Sequence, residues 1–69
     1  MTRKLKQIGQ KIKALRIGLS MTQVELAEKA GTTQRIVWQI EAGKYKRPGL
    51  NLIDRIAKAL KIKVAELFI

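Results

Sequence analysis

An all-α fold, a compact five-helix bundle in one domain spanning residues 1–69, is what this sequence predicts, and three observations predict it. Apolar residues recur at three-to-four spacing along most of the chain, the period of a helix with one buried face. Threonine and glycine stand where helices start and stop, with Thr22 and Glu25 at the spacing of a capping box. Finally, 46% of the residues are hydrophobic but only three are aromatic and one is proline, so aliphatic side chains must form the core. A chain of 69 residues lies near the lower size at which such a core folds without disulfides or metal, and a helical bundle is an economical solution.

The first helix is expected from about Arg3 to Gly18, with Thr2 as a cap and Leu5, Ile8, Ile12, Leu15 and Leu19 facing inward. Its other face is basic. The second helix opens at the Thr22 cap, where Met21 can staple onto Leu26, and Val24, Leu26, Ala27 and Ala30 form its apolar stripe. Gly31 is the left-handed stop. Thr33 caps a third helix that buries Val37 and Ile40 and stops at Gly43. Only Gly31, Thr32 and Thr33 separate the two helices, the short glycine-containing connection of a helix-turn-helix. Lys44, Tyr45, Lys46, Arg47 and Pro48 make a polar loop. A fourth helix, Leu50 to Leu60, turns Leu50, Ile53, Ile56, Ala57 and Leu60 inward, and a last short helix, Val64 to Phe68, closes the bundle. There is no internal repeat, linker or low-complexity segment.

Composition narrows the function. With a formal net charge of +10 and neither histidine nor cysteine, the chain points toward DNA and away from catalysis. Five carboxylates and one serine leave few acid, base or nucleophile pairs, so no enzyme and no cofactor are expected. Metal binding lacks its usual ligands. No segment approaches the roughly 18 apolar residues of a membrane span, and the N-terminal lysines precede no apolar stretch. A soluble, cytoplasmic protein without membrane contact is the expectation. With nothing after Ile69, no ligand-sensing domain and no small-molecule ligand are expected.

In a helix-turn-helix the second helix of the pair lies in the major groove while the first spans the backbone. Gln34, Arg35, Trp38 and Gln39 fall on the outer side of the third helix, opposite Val37 and Ile40, and are the candidate base readers. Glutamine can bond adenine in bidentate fashion, and arginine can do the same to guanine. Trp38 could pack on a sugar or a thymine methyl, cover a neighbouring helix, or mark a partner surface. Phosphate contacts are expected from Gln23 at the second helix's start, from Thr32 and Thr33 at the cap, and from Lys44, Lys46 and Arg47. The lysines of the first helix, Lys4, Lys6, Lys11 and Lys13, could reach flanking phosphates. Lys58, Lys61 and Lys63 are explained by solubility or helix-end electrostatics.

The segments IGQKIKALRIGLSMTQVELAEKAG, IEAGKYKRP and LNLIDRIAKALKIKVAELF resemble the lambda-repressor-like (Cro and Xre type) helix-turn-helix regulators, over roughly residues 4 to 68. The middle segment is similar to the phage 434 Cro and repressor domains in particular, with two more residues here after the proline. The resemblance implies a transcriptional regulator, usually a repressor. It would bind double-stranded DNA as a homodimer on a roughly palindromic operator, with dimer contacts around Pro48 to Leu50 and the apolar tail. It further implies that Gln34 and Gln39 are reading glutamines, that Arg35 replaces a third one and shifts preference toward guanine, and that Arg16 and Glu41 form an ion pair between helices. Ile36 and Trp38 depart from the usual small or polar residues. They favour the alternative, a protein-interaction module on this fold, antitoxin-like or redesigned for stability, without specific DNA binding.

Overall fold

Four α-helices and one 3-10 helix follow one another in the computed structural model, which describes residues 2–45 and 48–68, with side chains from Lys6 onward. The α-helices are α1 (Thr2–Gly18), α2 (Gln23–Ala30), α3 (Gln34–Glu41) and α4 (Leu50–Ala59). No strand occurs among the described residues, and no helix of theirs is long and apolar enough to cross a membrane.

The expected fifth α-helix is instead the 3-10 helix Val64–Phe68. Leu60 caps α4, and Lys61 takes a left-handed backbone conformation (φ 62°) that ends the α-helical path. A segment of five residues is too short to nucleate an α-helix, whereas the tighter i→i+3 pattern suits such short segments. Glu66 N–H donates to the Lys63 carbonyl at 2.9 Å, and its carboxylate accepts from Lys63 N–H at 2.8 Å.

The core draws on every element. Ile8 and Ile12 of α1 meet Leu26, Ala27 and Ala30 of α2, Val37 and Ile40 of α3, Leu52, Ile53, Ile56 and Ala57 of α4, then Leu60 and Leu67. Leu15 and Met21 are partly buried against this cluster. Several expectations are corrected by geometry. Thr2 is the first residue of α1 and not its cap. Val24 is 52% exposed because, at about 100° per residue, it lies roughly 110° from the middle of the Leu26, Ala27 and Ala30 face. Leu50, in the opening turn of α4, is exposed, and so is Leu19, just past the end of α1. The Leu5 side chain lies outside the described ones.

Gly9 allows α1 to lie against the end of α3, since a Cβ there would run into the Ile40 carbonyl and stand 2.9 Å from that of Glu41. Gly43 does the same one turn away: it holds φ +72°, and a Cβ would meet the Lys6 Cα at 2.9 Å.

Candidate nucleic-acid interface

The capping box of α2 is complete. Glu25 N–H donates to Thr22 Oγ1 at 3.0 Å, and the Glu25 carboxylate accepts from Thr22 N–H at 2.9 Å. Hydrogen bonding from Thr22 to the carboxylate, from the backbone N–H above all and then from the side chain, holds the Glu25 carboxyl below the usual carboxylate range, with help from the nearby Lys29 charge. At the other end Gly31 turns left-handed (φ 69°), and Thr32 N–H reaches back to the Ala27 carbonyl at 2.9 Å. Two helices can therefore follow in quick succession. Thr33 caps α3 by accepting from Ile36 N–H at 3.2 Å. Arg55 of α4 steadies the turn from outside, its guanidinium donating to the Gly31 carbonyl at 3.4 Å.

With Val37, Ile40 and Glu41 buried, α3 turns Gln34, Arg35 and Trp38 outward as exposed residues and leaves Gln39 half-buried. A chain of side-chain hydrogen bonds fixes its orientation. Arg16 holds Glu41 with two bonds, Nε to Oε2 at 2.6 Å and Nη2 to Oε1 at 3.0 Å, while its Nη1 donates to the Met21 carbonyl at 2.7 Å. The Gln23 amide donates to Glu41 Oε1 at 3.1 Å and accepts from the Gln34 amide at 2.7 Å. The end of α1, the start of α2 and both ends of α3 are joined in this way. The two charges are buried but fully partnered, and no buried side-chain nitrogen or oxygen among the described residues lacks a partner.

Gln23 is thus engaged on both sides of its amide, which leaves one N–H of its NH2 for an outside acceptor. Thr33 is exposed and Thr32 half-buried, both at the connection. Lys44 is exposed, and its ammonium stands over the Trp38 ring, 5.3 Å from the centroid, within cation–π range. Lys46 and Arg47 lie outside the described residues. Lys13, from α1, lines an open hollow of about 120 Å³ together with Gln23, Trp38, Glu41 and Ala42. The sequence held a signal for that placement: Lys13 is three residues before Arg16 and so shares its helix face.

Chemically, this surface offers hydrogen-bonding amides, a guanidinium and an indole on one exposed helix, framed by ammonium groups. A family model described as helix-turn-helix matches residues 12–67. The immunity repressor protein of Bacillus phage phi105 is 41% identical over 58 residues, which cover 84% of this chain and 40% of that protein. This chain therefore spans well under half of the phage protein. An uncharacterized HTH-type transcriptional regulator of Methanocaldococcus jannaschii is 39% identical over 59 residues, covering 86% of this chain and 88% of that one. Among solved structures, the restriction-modification controller protein C.AhdI from Aeromonas hydrophila superposes with a TM-score of 0.88 at 33% identity, over 93% of this chain and 96% of that chain.

Proposed function

The chain belongs to the helix-turn-helix family, and from that premise we propose that it regulates transcription by binding double-stranded DNA at specific sequences, with repression as the outcome. One observation carries the reading above all: α3 is held from behind by Val37, Ile40 and Glu41 while its polar side chains face outward. A helix so mounted can enter the major groove, and α2 can span the adjacent backbone. In this reading Gln34, Arg35 and Gln39 meet base edges. Arg35 favours guanine and the glutamines favour adenine, each good pair contributing roughly 1 to 3 kcal/mol of discrimination. Trp38, also assigned to the reading surface by the sequence, is taken up below.

Phosphates are met by the remaining Gln23 N–H, by Thr32 and Thr33 beside the start of α3, and by Lys44, Lys46 and Arg47. The protein acts as a homodimer in the cytoplasm on a roughly palindromic operator whose half-sites lie one helical turn, about 34 Å, apart. It needs no cofactor or small-molecule ligand.

Selection of binding sites from random duplex DNA, followed by salt titration, tests this. An enriched palindrome and a log–log salt slope of about −0.9 per neutralised phosphate are expected. Arg35→Ala and Gln34→Ala should each relax the preference at one position of the enriched site. If no sequence is enriched and binding is only nonspecific, the interaction-module reading takes its place.

A further inference from the structure

We infer that Trp38 grips the DNA backbone and not a base edge, taking one deoxyribose-phosphate unit into the hollow between α1, α2 and α3; this rests on the DNA-binding reading above. The first support is helical position. At about 100° per residue, Trp38 lies about 40° from Gln34, and Gln34 is tied to Gln23 at the start of α2. Arg35 and Gln39 lie about 60° and 100° farther round, away from that flank. Since the first helix of the pair is the one that crosses the backbone, the flank of α3 facing α2 is the flank facing a sugar–phosphate strand.

Charge gives the second support. Two lysines from different parts of the chain adjoin the indole's hollow: the Lys44 ammonium stands over the ring, and Lys13 of α1 lines the wall. Such a frame suits a phosphate, whose negative charge both lysines can meet. Glu41, in the same wall, is neutralised by its bidentate pairing with Arg16 and does not oppose an anion.

The third support is chemical. Trp38 is 46% exposed, and an indole has a broad apolar face with a single N–H donor. Base edges are told apart by patterns of donors and acceptors, which one donor reads poorly. A deoxyribose ring presents an apolar surface that can lie against the indole, while its phosphate meets the lysines.

The test measures affinity for a selected operator and for a scrambled duplex of equal length, using the full chain and its Trp38→Ala, Trp38→Phe and Lys13→Met variants. Equal thermal midpoints establish that the variants are folded. Trp38→Ala should weaken both complexes by about tenfold, equivalent to roughly 1.4 kcal/mol, and leave the enriched sequence unchanged. Trp38→Phe should recover most of the loss, and Lys13→Met should reduce the magnitude of the salt slope by about 0.9. A new base preference in Trp38→Ala would make the residue a reader and overturn the inference, as would unchanged affinity for both duplexes. If the parent chain enriches no sequence but Trp38→Ala still weakens duplex binding tenfold, the backbone grip stands and the sequence-specific reading falls.

Discussion

α2 and α3 are each eight residues long and each starts at a threonine cap, yet they are secured by different means. α2 is locally complete. It has the reciprocal Thr22–Glu25 bonds, an acidic residue in its first turn, a lysine in its last and a left-handed glycine to stop it. α3 has the Thr33 cap but not the box, since Ile36 occupies the position where a glutamate would close it, and it otherwise shares with α2 only a left-handed glycine stop, Gly43, past which Lys44 N–H reaches back to the Gln39 carbonyl at 2.8 Å. It carries no acid in its first turn and no base in its last, and Glu41 puts a negative charge at the unfavourable end of the helix dipole. The rest of what holds α3 comes from elsewhere: Arg16 and Gln23 on Glu41, Gln23 on Gln34, and the core around Val37 and Ile40. The helix assigned to DNA thus keeps Arg35 on its outer face exposed, and its aim is set by its neighbours.

The largest effect should come from removing the neighbour that α3 depends on most. Arg16→Ala leaves the buried Glu41 carboxylate without its cation, a loss of about 3 to 5 kcal/mol when one member of a buried pair is deleted. At roughly 0.05 to 0.15 kcal/mol per residue, a domain of this size has only on the order of 3 to 10 kcal/mol in total. Urea denaturation should find Arg16→Ala largely or wholly unfolded, with Arg16→Met plus Glu41→Leu recovering much of the loss. A single variant that loses under about 1 kcal/mol would mean that α3 is not held in this way. Next in size is the outer face. Arg35→Ala and Gln39→Ala should cost roughly 1 to 3 kcal/mol of base discrimination while shifting the unfolding free energy by no more than about 0.5 kcal/mol. A comparable drop in stability would show that these side chains serve the fold.

The contrast between the helices also accounts for what the sequence made legible. Local devices are written in neighbouring residues, so the Thr22–Glu25 box, the Gly31 stop and the Thr33 cap were readable directly, as were the inward-facing Val37 and Ile40. Long-range devices are not. The role of Gly9 depends on α1 crossing the end of α3, and nothing near residue 9 announces it. Arg55, far along the chain, bonds to the Gly31 carbonyl. The two-sided engagement of Gln23 became visible only once α3 was seen beside it. Apolar character alone overpredicted burial at Val24 and Leu50, because a helix end can carry an aliphatic residue off the core face. The last helix was placed correctly, but its 3-10 character turns on the left-handed Lys61, a conformation that lysine does not advertise.

Removing the caps should produce smaller effects and separate the two helices again. Thr22→Ala and Thr33→Ala each delete one accepted N–H bond, a loss of typically about 1 kcal/mol. Thr22→Ala should be the costlier, because it also removes the hydroxyl that supports the Glu25 carboxylate, although the backbone N–H that the carboxylate accepts from remains. Thermal melts of the two variants provide the comparison, and a costlier Thr33→Ala would reverse the ranking of local support proposed for the helices.

The smallest effect is a pH dependence carried by Glu25 in the first turn of α2. Bonds from the Thr22 backbone N–H, then from its hydroxyl, depress the Glu25 carboxyl below its ordinary value in the folded chain, with Lys29 adding to them. A depressed acid binds fewer protons folded than unfolded, so its contribution is fully present above the unfolded value of about 4.3 and is lost as pH falls through the folded one. Glu25→Gln retains an oxygen that can accept from Thr22 N–H but removes the titration. The other carboxylates are common to both proteins, so the difference in their urea midpoints between about pH 5 and pH 3 isolates Glu25. The parent chain should lose stability more steeply on acidification than Glu25→Gln. Parallel curves would mean that the carboxylate charge adds nothing to the box and that α2 owes its local support to hydrogen-bond geometry alone.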